Sequence, residues 1–181
     1  MVAFFDSSSG LPKGLEQLFE RSNVSLTIAD ATLPDSPLIG ANSAFLDLCG
    51  YGVEDVLGHN CRFLQPEGGA GPVRARMRRF LQQEDSTDAR FLIPNRTRGG
   101  EDFLNLVYMA KLESGDGRKL VLGSQFRIDS RLGFPPDLYD RALKEDLRKL
   151  STLTKDDNWV FFGSLETLAT SHSIIARTRL D

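Results

Sequence analysis

The residues of this 181-residue chain best able to do chemistry are a cysteine, a few arginines and three carboxamides. Cys61 lies in GHNCRFLQ (58–65), with Asn60 before it, Arg62 after it and Gln65 closing the run. A lone cysteine is most often a small core residue. A thiol enzyme using His59 as base is disfavoured, because residues two apart on a helix point in different directions. Strand alternation puts Asn95 on one face with Phe91 and Ile93, Asn105 with Phe103, Val107 and Met109, and Gln125 with Val121 and Gly123. Carboxamides both donate and accept, so three of them among apolar neighbours could satisfy the edge of a flat heteroaromatic ring. The alternative is that they face solvent or bond one another. Arg74, Arg76, Arg78 and Arg79 crowd one segment and raise a nucleic-acid reading, but the chain has a net charge of −3 and a solvated face explains them as well. Gly68-Gly69-Ala70-Gly71 lacks the Gly-Lys-Ser/Thr ending of a P-loop.

The elements that must position these groups follow from periodicity. Residues 11–22 space Leu11, Leu15, Leu18 and Phe19 as an amphipathic helix. VSLTIAD (24–30) reads as a strand, and LPDSP (33–37) as a turn. Asn42 caps a short helix closed by Gly50, with further short helices near 53–57 and 60–64. Pro72 opens a helix over 72–83. The period then falls to two: 87–96, 101–112 and 119–129 read as strands joined by RTRGGE and SGDG, an antiparallel meander. The domain over 23–129 is therefore α+β. Beyond Pro135-Pro136, Leu138, Leu143, Leu147 and Leu150 form a helical stripe, and Asn158 is placed to cap a last helix carrying Phe161, Phe162 and Leu165. A hydrophobic fraction of 40% supplies a core, and no apolar run is long enough to span a membrane. Cys49 and Cys61 make neither a disulfide framework nor a metal spacing, so a reducing, cytoplasmic setting is expected.

GHNCRFLQ resembles the signature of the light-oxygen-voltage (LOV) photosensors, a flavin-binding branch of the PAS fold. LTIADATLPDSPLIGAN (26–42), FLDLCGYGVEDVLGHNCRFLQ, NRTRGGEDFLNL and LGSQF extend the likeness over residues 24–128. The resemblance implies a five-stranded antiparallel sheet with short helices on one face. It also implies a blue-light receptor, not an enzyme, that holds FMN, with FAD or riboflavin as alternatives. Cys61 matches the thiol that adds reversibly to flavin carbon C4a under light while N5 gains a proton. Gln125 matches the glutamine that faces N5 and reorients in response. Arg62 and Arg78 match the phosphate arginines, Asn95 and Asn105 the pair on the pyrimidine edge, and Gln65, with Asn60 beside it, the ribityl contact. Thr27, Leu38, Leu64, Val107, Met109, Val121 and Gly123 match wall positions. Thr27, Ser36, Val107 and Val121 depart from the residues common there, which leaves the lifetime of the lit state open.

Three segments are expected: an N-terminal helical cap (1–22), the sensor domain (23–129) and a C-terminal helical extension (130–181). No effector signature follows residue 129, so output should pass through structure. Residues 11–22 and 137–178 are expected to build a homodimer interface because their apolar stripes are too large to expose; packing within one chain is the alternative. Neither nucleic acid nor a membrane is an expected partner. A flavin-dependent oxidoreductase and a PAS interaction module without pigment are the competing functions.

Overall fold

The computed structural model describes residues 2–128, except Ser8, Thr87 and Asp116, together with residues 159–162. Its frame is an antiparallel sheet. The elements run β1 (Ala3–Phe5), α1 (Lys13–Arg21), β2 (Ser25–Asp30), β3 (Leu38–Asn42), α2 (Ser43–Cys49), α3 (Val53–Val56), a 3₁₀ turn (Cys61–Leu64), α4 (Val73–Gln82), β4 (Asp88–Arg96), β5 (Asp102–Ser114), β6 (Lys119–Ile128) and β7 (Trp159–Phe162). The strand order is β1-β3-β2-β6-β5-β4, with β7 also paired to β5. The expected meander is β4-β5-β6, and the α+β class holds.

Three differences from expectation have physical causes. The sheet has seven strands, not five, because both terminal segments add one. The segment 1–22 is not wholly helical: β1 pairs with β3 through Ala3↔Asn42, Phe4↔Ala41 and Phe5↔Gly40. The helix expected from Asn158 is overturned at its start, where Trp159–Phe162 form a strand against Lys111–Ser114. β4 pairs with β5 only as far as Ala110, so β5 runs on with an open edge that this β-branched and aromatic run fills. The stripe at 137–151 and the rest of the expected last helix lie outside the described residues.

The two faces of the sheet bury different partners. On one, Leu11, Leu15, Leu18 and Phe19 of α1 and its leader pack against Leu26, Ile28, Leu106, Tyr108, Leu122 and Phe126. The α1 stripe is thus covered within its own chain, which answers the exposure argument for this helix without a second copy. On the other face, the helices from α2 to α4 form two smaller clusters, one around Phe45, Cys49 and Leu64 and one around Phe80, Phe91 and Val107. Asn42 locks the frame. Its Oδ1 accepts from Phe45 N at 3.1 Å, capping α2, and from Leu26 N at 2.9 Å, while its Nδ2 donates to Val24 O at 2.8 Å. Gly50 ends α2 in the left-handed region at φ 73°, which an L side chain resists.

Candidate functional site

Between the sheet and the helices lies a cavity that opens to solvent, about 750 Å³ with its mouth included. Four adjacent strands and α4 wall it. Thr27 and Ala29 come from β2, Val121, Gly123 and Gln125 from β6, Asn105, Val107 and Met109 from β5, and Ile93 and Asn95 from β4. The 3₁₀ turn and its flanks bring Asn60, Cys61, Arg62 and Gln65; the β2–β3 turn brings Ser36 and β3 brings Leu38. The period-two reading of the three carboxamides therefore holds: all three face one cavity and are buried.

A line of hydrogen bonds crosses the strands. Asn105 Nδ2 donates to Asn95 Oδ1 at 2.8 Å and to Gln125 Oε1 at 2.9 Å, and Gln125 Nε2 donates to Thr27 Oγ1 at 3.1 Å. Each link is a diagonal cross-strand pair, since Asn105 stands opposite Ile93 and Arg127, and Thr27 opposite Gly123. The carboxamides do bond one another, as the bland alternative held, but they do not exhaust their capacity. Asn105 Oδ1 is buried without a partner. Asn95 spends one N–H on Pro94 O at 3.0 Å and keeps one. Gln125 spends one on Thr27, and its carboxamide also rests against the Cys61 thiol, a weak partner. Unspent capacity on this wall thus comprises a donor on Asn95 and an acceptor on Asn105, while the second N–H of Gln125 rests on the Cys61 sulfur.

Cys61 opens the 3₁₀ turn, half-buried at the cavity. Burial pushes its thiol up to about 12, the charge of Cys49 nearby adds to this, and the bond from Gln125 pulls back against it. Asn60 shapes the turn: its Oδ1 accepts from Arg62 N at 3.0 Å, and its Nδ2 donates to Asp35 O and Ser36 O across the β2–β3 turn. Arg62 reaches the mouth but pairs with Asp35 at 2.6 Å, both half exposed. Thr27 does more than soften the wall, since its hydroxyl receives Gln125. Gly123 is required beside it, because a Cβ there would lie 2.8 Å from Thr27 Oγ1.

Two expected site residues are not on the wall. Leu64 is buried in the cluster with Leu38, Phe45 and Cys49, and Arg78 is exposed on α4. α4 instead presents Met77 and Leu81, one turn apart, to the cavity. These two, with Ala29 and Ile93, are wall residues the site reading missed. The signals were present: Ala29 and Ile93 lie two residues from Thr27 and Asn95 along their strands, and Met77 and Leu81 share an i, i+4 stripe.

Comparisons with known proteins agree with this architecture. Residues 23–126 match the PAS domain family. The crystal structure of the Rhodobacter sphaeroides LOV protein superposes with a TM-score of 0.72 at 28% identity, covering 91% of this chain and 93% of that one. The LOV domain of the Erythrobacter litoralis EL346 blue-light activated histidine kinase superposes at 0.54 with 35% identity, over 61% of this chain and all of that domain. A blue-light-activated histidine kinase of Rhizobium johnstonii is 36% identical over 108 residues, 59% of this chain and 31% of the kinase. The chain spans less than a third of that kinase and of the rice phototropin and adagio-like proteins it also matches. The chain belongs to the PAS domain family, and within that family to its LOV branch.

LOV domains bind flavin, and the wall fits one. The pyrimidine edge of a flavin presents carbonyl, N–H and carbonyl, and the donor left on Asn95 and the acceptor left on Asn105 complement an adjacent carbonyl and N–H of it. No helix among the described residues is long and apolar enough to cross a membrane.

Proposed function

We propose that this chain is a blue-light photoreceptor that holds a flavin, FMN in preference to FAD or riboflavin, and uses Cys61 as its photoreactive thiol. The observation that carries the reading is the unspent donor on Asn95 and acceptor on Asn105 in one cavity with Gln125 and the half-buried Cys61 thiol. A bound flavin supplies the absorber of blue light and, once excited, a ring carbon that a thiol can add to while the neighbouring nitrogen takes a proton.

The chain's own residues prepare that event. Asn95 and Asn105 orient the ring edge, Gln65 and Asn60 line the side of the ribityl chain, and Arg62 at the mouth is the phosphate donor once it exchanges Asp35 for the ligand. Arg78 joins it only by swinging in from the exposed face of α4. Because the Cys61 thiol is raised to about 12, it carries its proton at neutral pH, so sulfur and proton arrive together. Gln125 can answer a protonation beside it by rotating its carboxamide. Thr27 Oγ1 would then turn from acceptor to donor, and Asn105 Nδ2 would lose the acceptor it has on Gln125 Oε1. The change leaves through β6, whose last residue, Ile128, lies beside Leu104. Leu104 and Leu92 are exposed large apolar residues near it, and the reading places the pairing of two copies at this end of the sheet, while β7 of the C-terminal extension lies along the other end of β5, at Lys111–Ser114. The unit boundaries of 1–22, 23–129 and 130–181 and a cytoplasmic setting belong to the same proposal.

The test is the absorption spectrum of purified protein before and after blue light. A structured flavin band that bleaches and recovers in the dark is expected, and Cys61→Ala should keep the band and lose the bleach. A band that never bleaches in the wild type refutes the photochemical role of Cys61, and a colourless protein after flavin has been supplied refutes the flavin site.

A further inference from the structure

Helix α4 forms one wall of the cavity. It follows the Gly68–Gly71 loop, where Gly68, Gly69 and Gly71 all hold positive φ (95°, 78° and 60°), and it contributes Met77 and Leu81 to the cavity. Its packing on the sheet rests mainly on Phe80 against Phe91, ring centroids 5.9 Å apart, with Val73 nearby. At its far end stands Lys111 of β5. Asn105, Val107, Met109 and Lys111 follow one another on a single face of that strand, so the lysine continues the row that floors the cavity.

Lys111 Nζ donates to Phe80 O and to Gln83 O, each at 2.5 Å, and sits 4.5 Å from the centre of the Phe80 ring. Phe80 O is among the last four carbonyls of α4, which have no partner within the helix. An ammonium there satisfies Phe80 O and the C-cap carbonyl of Gln83, and opposes the negative end of the helix dipole. Burial and the nearby Lys119 lower the Lys111 pKa, and Glu84 works against both; the chain bears a desolvation cost to keep this cation in place. Nothing in the photochemistry requires it.

We propose that Lys111 is a positioning residue that latches α4 over the cavity and so sets how fast the flavin leaves. The Gly68–Gly71 loop is the hinge, Phe80 the contact, and Lys111 the catch. With the catch released, α4 can lift Met77 and Leu81 from the ligand while the carboxamide wall stays intact. This inference rests on the cavity being the flavin site.

The experiment compares wild-type holoprotein with Lys111→Met, which keeps the stem but loses the charge and donors, and with Lys111→Arg, which restores them. Flavin release is followed by trapping with excess flavin-capturing protein. Hydrogen exchange of the last turn of α4 and the thermal midpoint of the flavin-free protein are measured in parallel. K111M should release flavin at least tenfold faster, with faster exchange confined to α4, an unchanged dark spectrum and bleach amplitude, and a flavin-free midpoint within a few degrees of wild type. K111R should lie within threefold of wild type. Release at the wild-type rate in K111M, or faster release accompanied by exchange rising across the whole sheet, overturns the latch. If the wild type takes up no flavin, the reading of the cavity fails, and exchange in α4 alone decides the latch: faster in K111M supports it, unchanged overturns it.

Discussion

Gly123 and Thr27 allow the site geometry to be tested through a change of sign. A Cβ added at Gly123 would stand 2.8 Å from Thr27 Oγ1, closer than real Cβ contacts come. Thr27 is β-branched and stiff at χ1, so relief means turning Oγ1 away and abandoning the Gln125 Nε2 bond at 3.1 Å. Leaving that buried N–H without its partner costs about 1–3 kcal/mol. Against this, alanine in a strand interior gains roughly 0.5–1 kcal/mol over glycine. Gly123→Ala in the wild type should therefore destabilise by about 1–2 kcal/mol, the difference of those two effects.

In a Thr27→Ala background the obstructing oxygen is already gone and the Gln125 bond already lost. Only the backbone gain remains there, so Gly123→Ala should stabilise by roughly 0.5–1 kcal/mol. The coupling between the two sites comes to about 2 kcal/mol, large for a pair of neighbours and far above the error of a good cycle. Urea unfolding of the four proteins, flavin-loaded in the dark and again flavin-free, measures it from the midpoints at constant m. If Gly123→Ala has the same sign and size in both backgrounds, Thr27 Oγ1 does not occupy the space above residue 123, and the hydrogen bond assigned to Gln125 is wrong.

Two further outcomes follow from the structure. A thiol raised to about 12 by burial is fully protonated at neutral pH, so alkylation of Cys61 in flavin-free protein should accelerate about tenfold per pH unit from 7 to 10, where an ordinary thiol with a pKa near ~8.5 levels off. Because the folded pKa is the higher one, the contribution of Cys61 to stability is complete below the ordinary thiol pKa and is lost as pH rises toward 12; a labelling rate that saturates near pH 8.5 would show that the sulfur is not desolvated. Gly40→Ala places a Cβ 2.6 Å from the Phe5 ring and 2.9 Å from Ile28, so it should cost about 1–3 kcal/mol by overpacking and speed hydrogen exchange selectively in β1, whereas unchanged protection of Asp6, whose N–H donates to Ile39 O, would remove β1 from the sheet.

What the sequence made legible divides along physical lines. Strands that bury one face announce themselves by alternation, which is why Asn95, Asn105 and Gln125 could be placed on apolar faces before any neighbour was known. β1 could not be read this way: three residues carry no period, and the strand exists because β3 offers an edge and Gly40 leaves room for Phe5. Trp159-Val160-Phe161-Phe162 is a continuous apolar run, and such a run looks the same to a periodicity reading whether it ends in a helix or a strand. The open edge of β5 past Ala110 decides it, and that edge is a property of the register between β4 and β5. The same holds for α4. Its sequence shows four arginines and an apolar stripe, but only its rotation on Phe91 determines that Met77 and Leu81 meet the cavity while Arg78 meets solvent. The catch formed by Lys111 was invisible for a related reason, since it joins residues about thirty apart in sequence through backbone carbonyls, which no side-chain motif records.

The direction of the hydrogen-bond line has a consequence for signalling. Thr27, Gln125, Asn105 and Asn95 lie on β2, β6, β5 and β4, the spatial order of the strands, so the line runs across the sheet and not along one strand. A carboxamide that exchanges its oxygen for its NH₂ must change what its neighbours on both sides present, so an exchange at Gln125 asks Thr27 Oγ1 to donate and withdraws the acceptor from Asn105 Nδ2. A disturbance starting at Gln125 therefore reaches β2 as directly as it reaches β5. β2 is joined through Ser22 and Val24 to α1, whose apolar stripe is buried on the opposite face of the same sheet. Output need not be confined to the C-terminal end of β6. The N-terminal helix, seated on Leu26 and Ile28 immediately beside Thr27, lies one strand from Gln125 and is joined to β2 by residues 22–24.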